Sequence, residues 1–159
     1  MTTLTRIYPN PCITAENIGQ SAIDEILHPD KVFDRHWGGS FISPLYPAQS
    51  MLDVARYFGI SAAQLFWFEF AIDSSDYLDS YFAVEFIHNI SNFFGEYQTV
   101  YAVHRDPDET MHCHLLVNTV NYTTGRLLEM TNDIIQAFYH HIFFCIADQG
   151  FGKLRGSII

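Results

Sequence analysis

Three of the chain's eight histidines lie within eleven residues, in the stretch HRDPDETMHCH at 104–114. Strand-like apolar sequences flank this stretch, YQTVYAV before it and LLVNTVNY after it. Because alternate residues of a strand share a face, His112 and His114 should point the same way, and a hairpin would bring His104 beside them. Three imidazoles from neighbouring strands can hold a divalent cation and leave a coordination position open, as a catalytic metal requires.

The loop between these histidines is acidic and includes Asp106 and Asp108. Asp106 and Asp108 are close enough in sequence to accept hydrogen bonds from the ring N–H groups, as outer carboxylates do around metal sites. A histidine on a strand is also commonly no more than a hydrogen-bonded or exposed side chain, so a structural role remains open for all three. The residues of opposite parity, Cys113, Leu115 and Val117, should face the core.

The elements that must position these residues alternate along the chain in the order β-α-β-α-β-α-β-β-α. Apolar periodicity, capping residues and turn residues predict strands at 3–8, 40–43, 65–72, 97–104 and 111–122, and helices at 16–27, 47–59, 74–95 and 131–150. The predicted N-caps are Thr14 for the first helix, Ser74 or Ser75 for the third, and Thr131 or Asn132 for the last. Gly38 and Gly39 are interpreted as a turn before the second strand. The last two strands form an antiparallel hairpin, which predicts an α+β fold with an antiparallel central sheet of about five strands packed by helices.

Composition limits the classes of protein that this chain can represent. Its 159 residues predict one domain, 1–159, and 48% hydrophobic residues exclude a disordered chain. Lys and Arg number 8 against 18 Asp and Glu, and the net charge of −10 disfavours unspecific binding to nucleic acid or to anionic membranes. No apolar run approaches the roughly 18 residues of a membrane span. Three widely spaced cysteines and the lack of a signal-like N-terminus predict a cytoplasmic protein with reduced thiols.

The sequence HRDPDETMHCHLLVNTVNYTTGR resembles the histidine motif of relaxases, the mobilisation nucleases of the MobA type. These enzymes belong to the HUH endonuclease superfamily, which is named for its His-hydrophobe-His pair, here His112-Cys113-His114. The positions with a place in the motif are His104, Asp106, His112, His114, Asn118 and Gly125. A weaker likeness extends to LTRIYPN, SAIDEILHPDKV, GGSFISP and QLFWFEFAIDSSD, so the resemblance covers nearly the whole chain.

The resemblance implies a reaction on single-stranded DNA at a plasmid or transposon transfer origin. A divalent metal (Mn, Mg or Zn) held by His104, His112 and His114 would polarise one phosphate, and a tyrosine would attack it. Asp106 would accept a hydrogen bond from the ring N–H of a metal-binding histidine. At the position of the family tyrosine this chain has Glu25, whose carboxylate cannot form a stable DNA adduct. Tyr8 or Tyr46 could substitute only if the fold brings either to the metal.

Other features also depart from the family. The spacing between His104 and His112 is one residue longer than the family pattern. The basic residues are few and scattered in sequence, including Lys31, Arg35, Arg56 and Arg105, and they form no obvious stripe for a polyanion. We also expect none of the helicase or primase parts of large relaxases.

Four functions are compatible with these residues. The favoured one is a degenerate relaxase-like domain that keeps the fold and the metal. The others are an active relaxase that uses Tyr8 or Tyr46, a histidine-metal hydrolase acting on a small or nucleotide substrate, and an interaction module. The last would bind a protein partner or a second copy of the chain through exposed aromatic residues such as Trp67.

Overall fold

The strands and helices follow one another in the order that the sequence predicts. The computed structural model describes residues 2–8, 16–61, 65–72, 80–106 and 111–148, with backbone only at 2–8, 16–19, 34, 72, 80 and 148. Within these ranges the elements are β1 (Thr2–Tyr8), α1 (Glu16–Ile26), β2 (Val32–Ser40), α2 (Pro47–Tyr57), β3 (Leu65–Ile72), α3 (Ser80–Ser91), a 3-10 turn (Asn92–Phe94), β4 (Tyr97–Arg105), β5 (Met111–Asn121) and α4 (Asn132–Asp148).

The five strands form one sheet in the order β1-β3-β5-β4-β2, and each neighbouring pair is antiparallel. The predicted α+β class and antiparallel sheet are confirmed. The central strand is β5, which pairs with β3 from Leu65↔Asn118 to Ile72↔Met111 without a register shift. Its other neighbour is β4, in which His104 lies directly opposite His112.

Helices cover both faces of the sheet. One face packs against α3 and α4, and its cluster includes five almost fully buried phenylalanines: Phe68, Phe70, Phe86, Phe94 and Phe138. Burying each such side chain contributes about 1.5–3 kcal/mol, so this layer supplies much of the apolar stabilisation. The predicted core residues Cys113, Leu115 and Val117 lie here.

The opposite face of the sheet packs against α1 and α2. On β5 this face carries His112, His114 and the residues that follow them at every second position. Its smaller cluster joins Ile23, Ile26 and Met51 of the helices to Val100 and Leu116 of the sheet. This cluster extends along only part of the sheet, and the histidines lie beyond it.

The interpretation of Gly38 and Gly39 as a turn before a strand at 40–43 is wrong, because both glycines lie inside β2. A Cβ atom at Gly38 would lie 2.5 Å from the Tyr101 hydroxyl oxygen, and one at Gly39 would lie 2.3 Å from the Thr99 carbonyl oxygen. Glycine is therefore needed because β2 and β4 approach closely at this point.

A bulge interrupts β2 before these glycines. Between the pairs Val32↔His104 and Trp37↔Ala102, β2 advances five residues while β4 advances two. Arg35 lies in this bulge with a φ of 59°. The extra residues bend the edge strand next to the histidine end of β4.

The predicted cap of the last helix is present, because the Thr131 hydroxyl accepts a hydrogen bond from the Ile134 N–H at 3.4 Å. The caps predicted at Thr14 and at Ser74 or Ser75 lie outside the described residues. In the part of the chain that the structure describes, none of the helices is both long and apolar enough to cross a bilayer.

Candidate active site

The three histidines line one cavity of about 470 Å³ at the end of the sheet. His104 and His112 are cross-strand partners, and His114 is the next residue of β5 on the same face. The ring centroids of His104 and His114 are 4.3 Å apart. The parity expected from the sequence therefore brings all three imidazoles to one side of the sheet.

Two of the rings are fixed by hydrogen bonds to neighbouring elements. The His104 Nε2–H donates to the carbonyl oxygen of Ile26 at 2.7 Å, which satisfies one of the free carbonyls at the end of α1. The Trp67 indole N–H donates to His114 Nδ1 at 3.1 Å, so a neutral His114 carries its proton on Nε2. Trp67 is only partly exposed and packs against the α1–α2 cluster, so it gives no support to an interaction module.

Carboxylates hold the third ring. His112 Nε2 lies 2.9 Å from Asp106 Oδ2, and His112 Nδ1 lies 3.4 Å from Glu69 Oε1. Glu69 is also the cross-strand partner of His114, with 3.9 Å between its Oε2 and His114 Nδ1. Asp106 thus reaches a histidine from the loop as the sequence suggested, whereas Asp108 lies outside the described residues.

Burial keeps two of the imidazoles neutral. It lowers the pKa of His114 to about 3, and the neighbouring His104, His112 and Lys31 act in the same direction. Burial also lowers the pKa of His104, although its hydrogen bond to Ile26 opposes the shift. Neutral imidazole is the form that ligates metals.

Glu25 lines the same cavity as the histidines. It lies near the end of α1, and its carboxylate accepts a hydrogen bond from the Lys31 ammonium, which is the main reason that its pKa is lowered. Lys31 and Arg105 line the cavity as well, so two of the basic residues that are scattered in sequence gather here.

Of the two tyrosines named as substitutes, Tyr46 does not line the cavity. Tyr46 is 68% exposed at the start of α2, and the side chain of Tyr8 lies outside the described part of the chain. Among the side chains that the structure describes, no tyrosine lines the cavity.

A family model described as relaxase, MobA/VirD2-like, nuclease domain, matches residues 47–140, which is more than half of the chain. The chain belongs to this relaxase family. No curated protein matches it. The matched residues include the three histidines but begin after Glu25, so the alignment of Glu25 with the family tyrosine depends on the segment SAIDEILHPDKV alone.

Asn118, another position of the relaxase motif, has a packing role. It is fully buried, and its amide N–H group donates to the Met51 carbonyl at 3.3 Å and to the Gln98 side-chain oxygen at 2.9 Å. Its own oxygen accepts from the Val120 N–H at 3.2 Å. The residue therefore ties β5 of the relaxase domain to α2 and β4.

The cavity offers donors that suit a divalent cation, but its side chains are not arranged as ligands. Among residues 16–61, 65–72, 80–106 and 111–148, no group of three or more His, Cys, Asp or Glu side chains is placed to hold a metal ion. Each ring has a nitrogen engaged by a backbone carbonyl, an indole N–H or a carboxylate. The residues of the relaxase domain fit a cation by their chemistry. Ligation by all three rings requires His112 to exchange a carboxylate for the cation, and it requires His114 to give up the hydrogen bond that its Nδ1 accepts from the Trp67 indole.

Sequence reasoning missed Glu69 and the clustering of Lys31 with Arg105. Glu69 could have been recognised as the single charged residue of the aromatic strand LFWFEFAI. Its position places it on the same side of the strand as Trp67, away from the buried phenylalanines. No comparable local signal marked Lys31, which reaches the cavity through the turn between α1 and β2.

Proposed function

We propose that this relaxase domain binds a phosphate of single-stranded DNA in the histidine cavity but has lost the tyrosine reaction. The observation that supports this most directly is Glu25, which lines the cavity together with His104, His112 and His114. Attack by a carboxylate would give an acyl phosphate that water hydrolyses, and its negative charge would repel the phosphate. The domain would thus be a degenerate member of a family of DNA-nicking enzymes.

We further propose that His104, His112 and His114 hold a divalent cation, either Mn²⁺, Mg²⁺ or Zn²⁺. Imidazole ligands favour Zn²⁺ or Mn²⁺ over Mg²⁺. When bound, the cation would supply Lewis-acid polarisation of a phosphate oxygen. With one nitrogen of His112 on the cation, Glu69 or Asp106 would orient this ring by accepting a hydrogen bond from its other nitrogen.

The two alternative enzymatic functions, an active relaxase and a hydrolase, would use the same histidine cavity as the active site. For an active relaxase, Tyr8 is the remaining candidate of the two tyrosines considered, because Tyr46 is exposed at the start of α2. A hydrolase of small phosphate esters would use water in place of a tyrosine, and the polar lining of the cavity is compatible with it. The free thiol of the buried Cys113 supports the reducing, cytoplasmic location that we propose for the protein.

Formation of a covalent adduct tests the loss of the tyrosine. Wild-type protein, Glu25→Tyr and Glu25→Phe are incubated with single-stranded DNA and Mn²⁺, and the products are separated on denaturing gels. We expect an adduct with Glu25→Tyr alone, because only tyrosine supplies a nucleophilic hydroxyl. Glu25→Phe is the control, since phenylalanine has the same ring without the hydroxyl. An adduct with the wild type would contradict the proposal, and mass spectrometry would then identify the nucleophile.

Calorimetric titration tests the metal. The wild type should bind Mn²⁺ or Zn²⁺ with one site, and His112→Gln should bind it about 10–100-fold more weakly, as expected for removal of a ligand or its support. His140→Gln, on an exposed position of α4, is the control for unspecific binding to histidine. Equal affinity of the wild type and His112→Gln would show that the cavity does not bind the cation.

A further inference from the structure

Glu25 and Lys31 form an ion pair within the cavity that the reaction described above does not use. The two side chains come from the end of α1 and from the turn before β2, and each is about half exposed, 50% for Glu25 and 46% for Lys31. Both line the same cavity as the histidines. Half-exposed ion pairs contribute little to stability and open readily.

The charges around the cavity disfavour an anionic ligand. Apart from its histidines, the ionisable lining of the cavity consists of two cations and four carboxylates, namely Lys31, Arg105, Glu25, Asp30, Glu69 and Asp106. A phosphate that enters therefore needs a cation whose present partner it can displace. Arg105 already stacks on Phe33, with 5.1 Å between its guanidinium carbon and the ring centroid. The partner of Lys31 is the half-exposed carboxylate of Glu25, which lies at the cavity itself.

We infer that Lys31 is the phosphate-binding cation of the cavity and that the Glu25 carboxylate occupies it in the free protein. The carboxylate is a small anion with two acceptor oxygens, so it can satisfy the ammonium as a phosphate would. A DNA phosphate must displace Glu25 before it can reach Lys31. The inference rests on the proposed function, and it assigns Glu25 a role as an internal competitor of the substrate.

A second ion pair provides a matched control. Asp53 and Arg56 pair on the exposed side of α2, with 3.9 Å between Asp53 Oδ1 and Arg56 Nη1, and neither lines the cavity. Asp53→Asn changes the net charge by the same amount as Glu25→Gln. The two variants therefore separate a local effect on Lys31 from a general loss of negative charge.

The experiment is a fluorescence anisotropy titration with a single-stranded oligonucleotide of roughly 20 nucleotides at low salt. EDTA is present throughout, so that no cation contributes. The variants are Glu25→Gln, Lys31→Gln, the double variant Glu25→Gln/Lys31→Gln, and Asp53→Asn, each checked for an unchanged urea midpoint. Because neither metal nor chemistry is involved, a failure of the adduct or metal tests would not affect this result.

We expect Glu25→Gln to tighten binding about tenfold, the change given by one newly available charge-assisted contact. Asp53→Asn should change the affinity by less than about threefold, because exposed charges at a distance are screened. The gain should disappear in the double variant. Equal gains from Glu25→Gln and Asp53→Asn, a gain that survives Lys31→Gln, or no measurable binding by Glu25→Gln would each overturn the inference.

Discussion

His114 is enclosed between the Trp67 indole and the His104 ring, and only 8% of it is exposed. Burial lowers its pKa to about 3 from an ordinary value of 6.5. Between these two values the unfolded chain binds a proton at this residue and the folded chain does not. Acid therefore favours the unfolded chain, and the stability contributed by neutral His114 is lost as the pH falls below about 6.5.

The free energy of unfolding of the metal-free protein should accordingly decrease as the pH is lowered from about 7 to 5. The slope due to His114 approaches about 1.4 kcal/mol per pH unit, because one proton is taken up on unfolding. Urea unfolding in EDTA at several pH values measures it. His114→Gln should show a flatter dependence, and an identical slope in both proteins would refute the assignment.

Asn118 connects three elements through its buried amide, so its removal should destabilise the fold. Asn118→Ala leaves the Met51 carbonyl, the Gln98 side chain and the Val120 N–H without this partner. We expect a loss of at least about 2 kcal/mol in the free energy of unfolding, from unsatisfied buried groups. The exposed Asn92→Ala is the control, expected within about 0.5 kcal/mol. A loss for Asn118→Ala that is no larger than the control would contradict this role.

At the scale of single residues, the sequence predicted the face of the histidines but not their contacts. His112 and His114 are two residues apart, so they point to the same side of any strand that contains them. Their common side therefore followed from local geometry. The contacts with Trp67 and Glu69 depend on the register between β3 and β5, which no local pattern specifies. The anchoring of His104 to Ile26 likewise depends on where α1 ends above the sheet.

Among the elements, β2 departs most from the prediction. Gly38 and Gly39 are typical turn residues, and locally they indicated a turn. In the folded chain they allow β2 to lie against Tyr101 and Thr99 of β4, a requirement created by residues about 60 positions away. By contrast, the bounds of β3 were predicted correctly, because its alternating aromatic pattern is contained within the strand itself.

Gly39→Ala should separate steric crowding from backbone preference. Its Cβ would press on the Thr99 backbone oxygen, so we expect a loss of about 1–3 kcal/mol in the free energy of unfolding. Gly95→Ala is the matched control, because its Cβ would meet no atom closer than 3.5 Å and its φ is −59°. That variant should be neutral or more stable by up to about 1 kcal/mol. Comparable losses in both variants would refute close strand approach as the reason for Gly39.

At the scale of the whole molecule, charge opposes the ligand that the family binds. The net charge of −10 gives a repulsive field for DNA, and Lys31 and Arg105 provide only local attraction at the cavity. The sequence showed the overall charge correctly. The gathering of these two basic residues became visible only in the fold.

Affinity of the wild type for a random single-stranded oligonucleotide should be weaker than about 1 µM at roughly 0.15 M salt, because few phosphates can be neutralised. Fluorescence anisotropy across a salt series measures both the affinity and its salt dependence. We expect a shallow slope that corresponds to about one or two phosphate contacts. Sub-micromolar binding with a steep slope would show a basic surface that the described residues do not contain.

The bulge in β2 also bears on how copies of this protein can associate. β1 and β2 are the two edges of the sheet, and a regular edge strand can be extended by a strand from another molecule. Between Val32 and Trp37 the bulge interrupts the outer row of hydrogen-bonding groups, and Arg35 places an exposed charge there. This edge is therefore a poor template for amyloid-like growth, and a dimer that formed on this side would have to be held by side chains instead of a continuous intermolecular sheet.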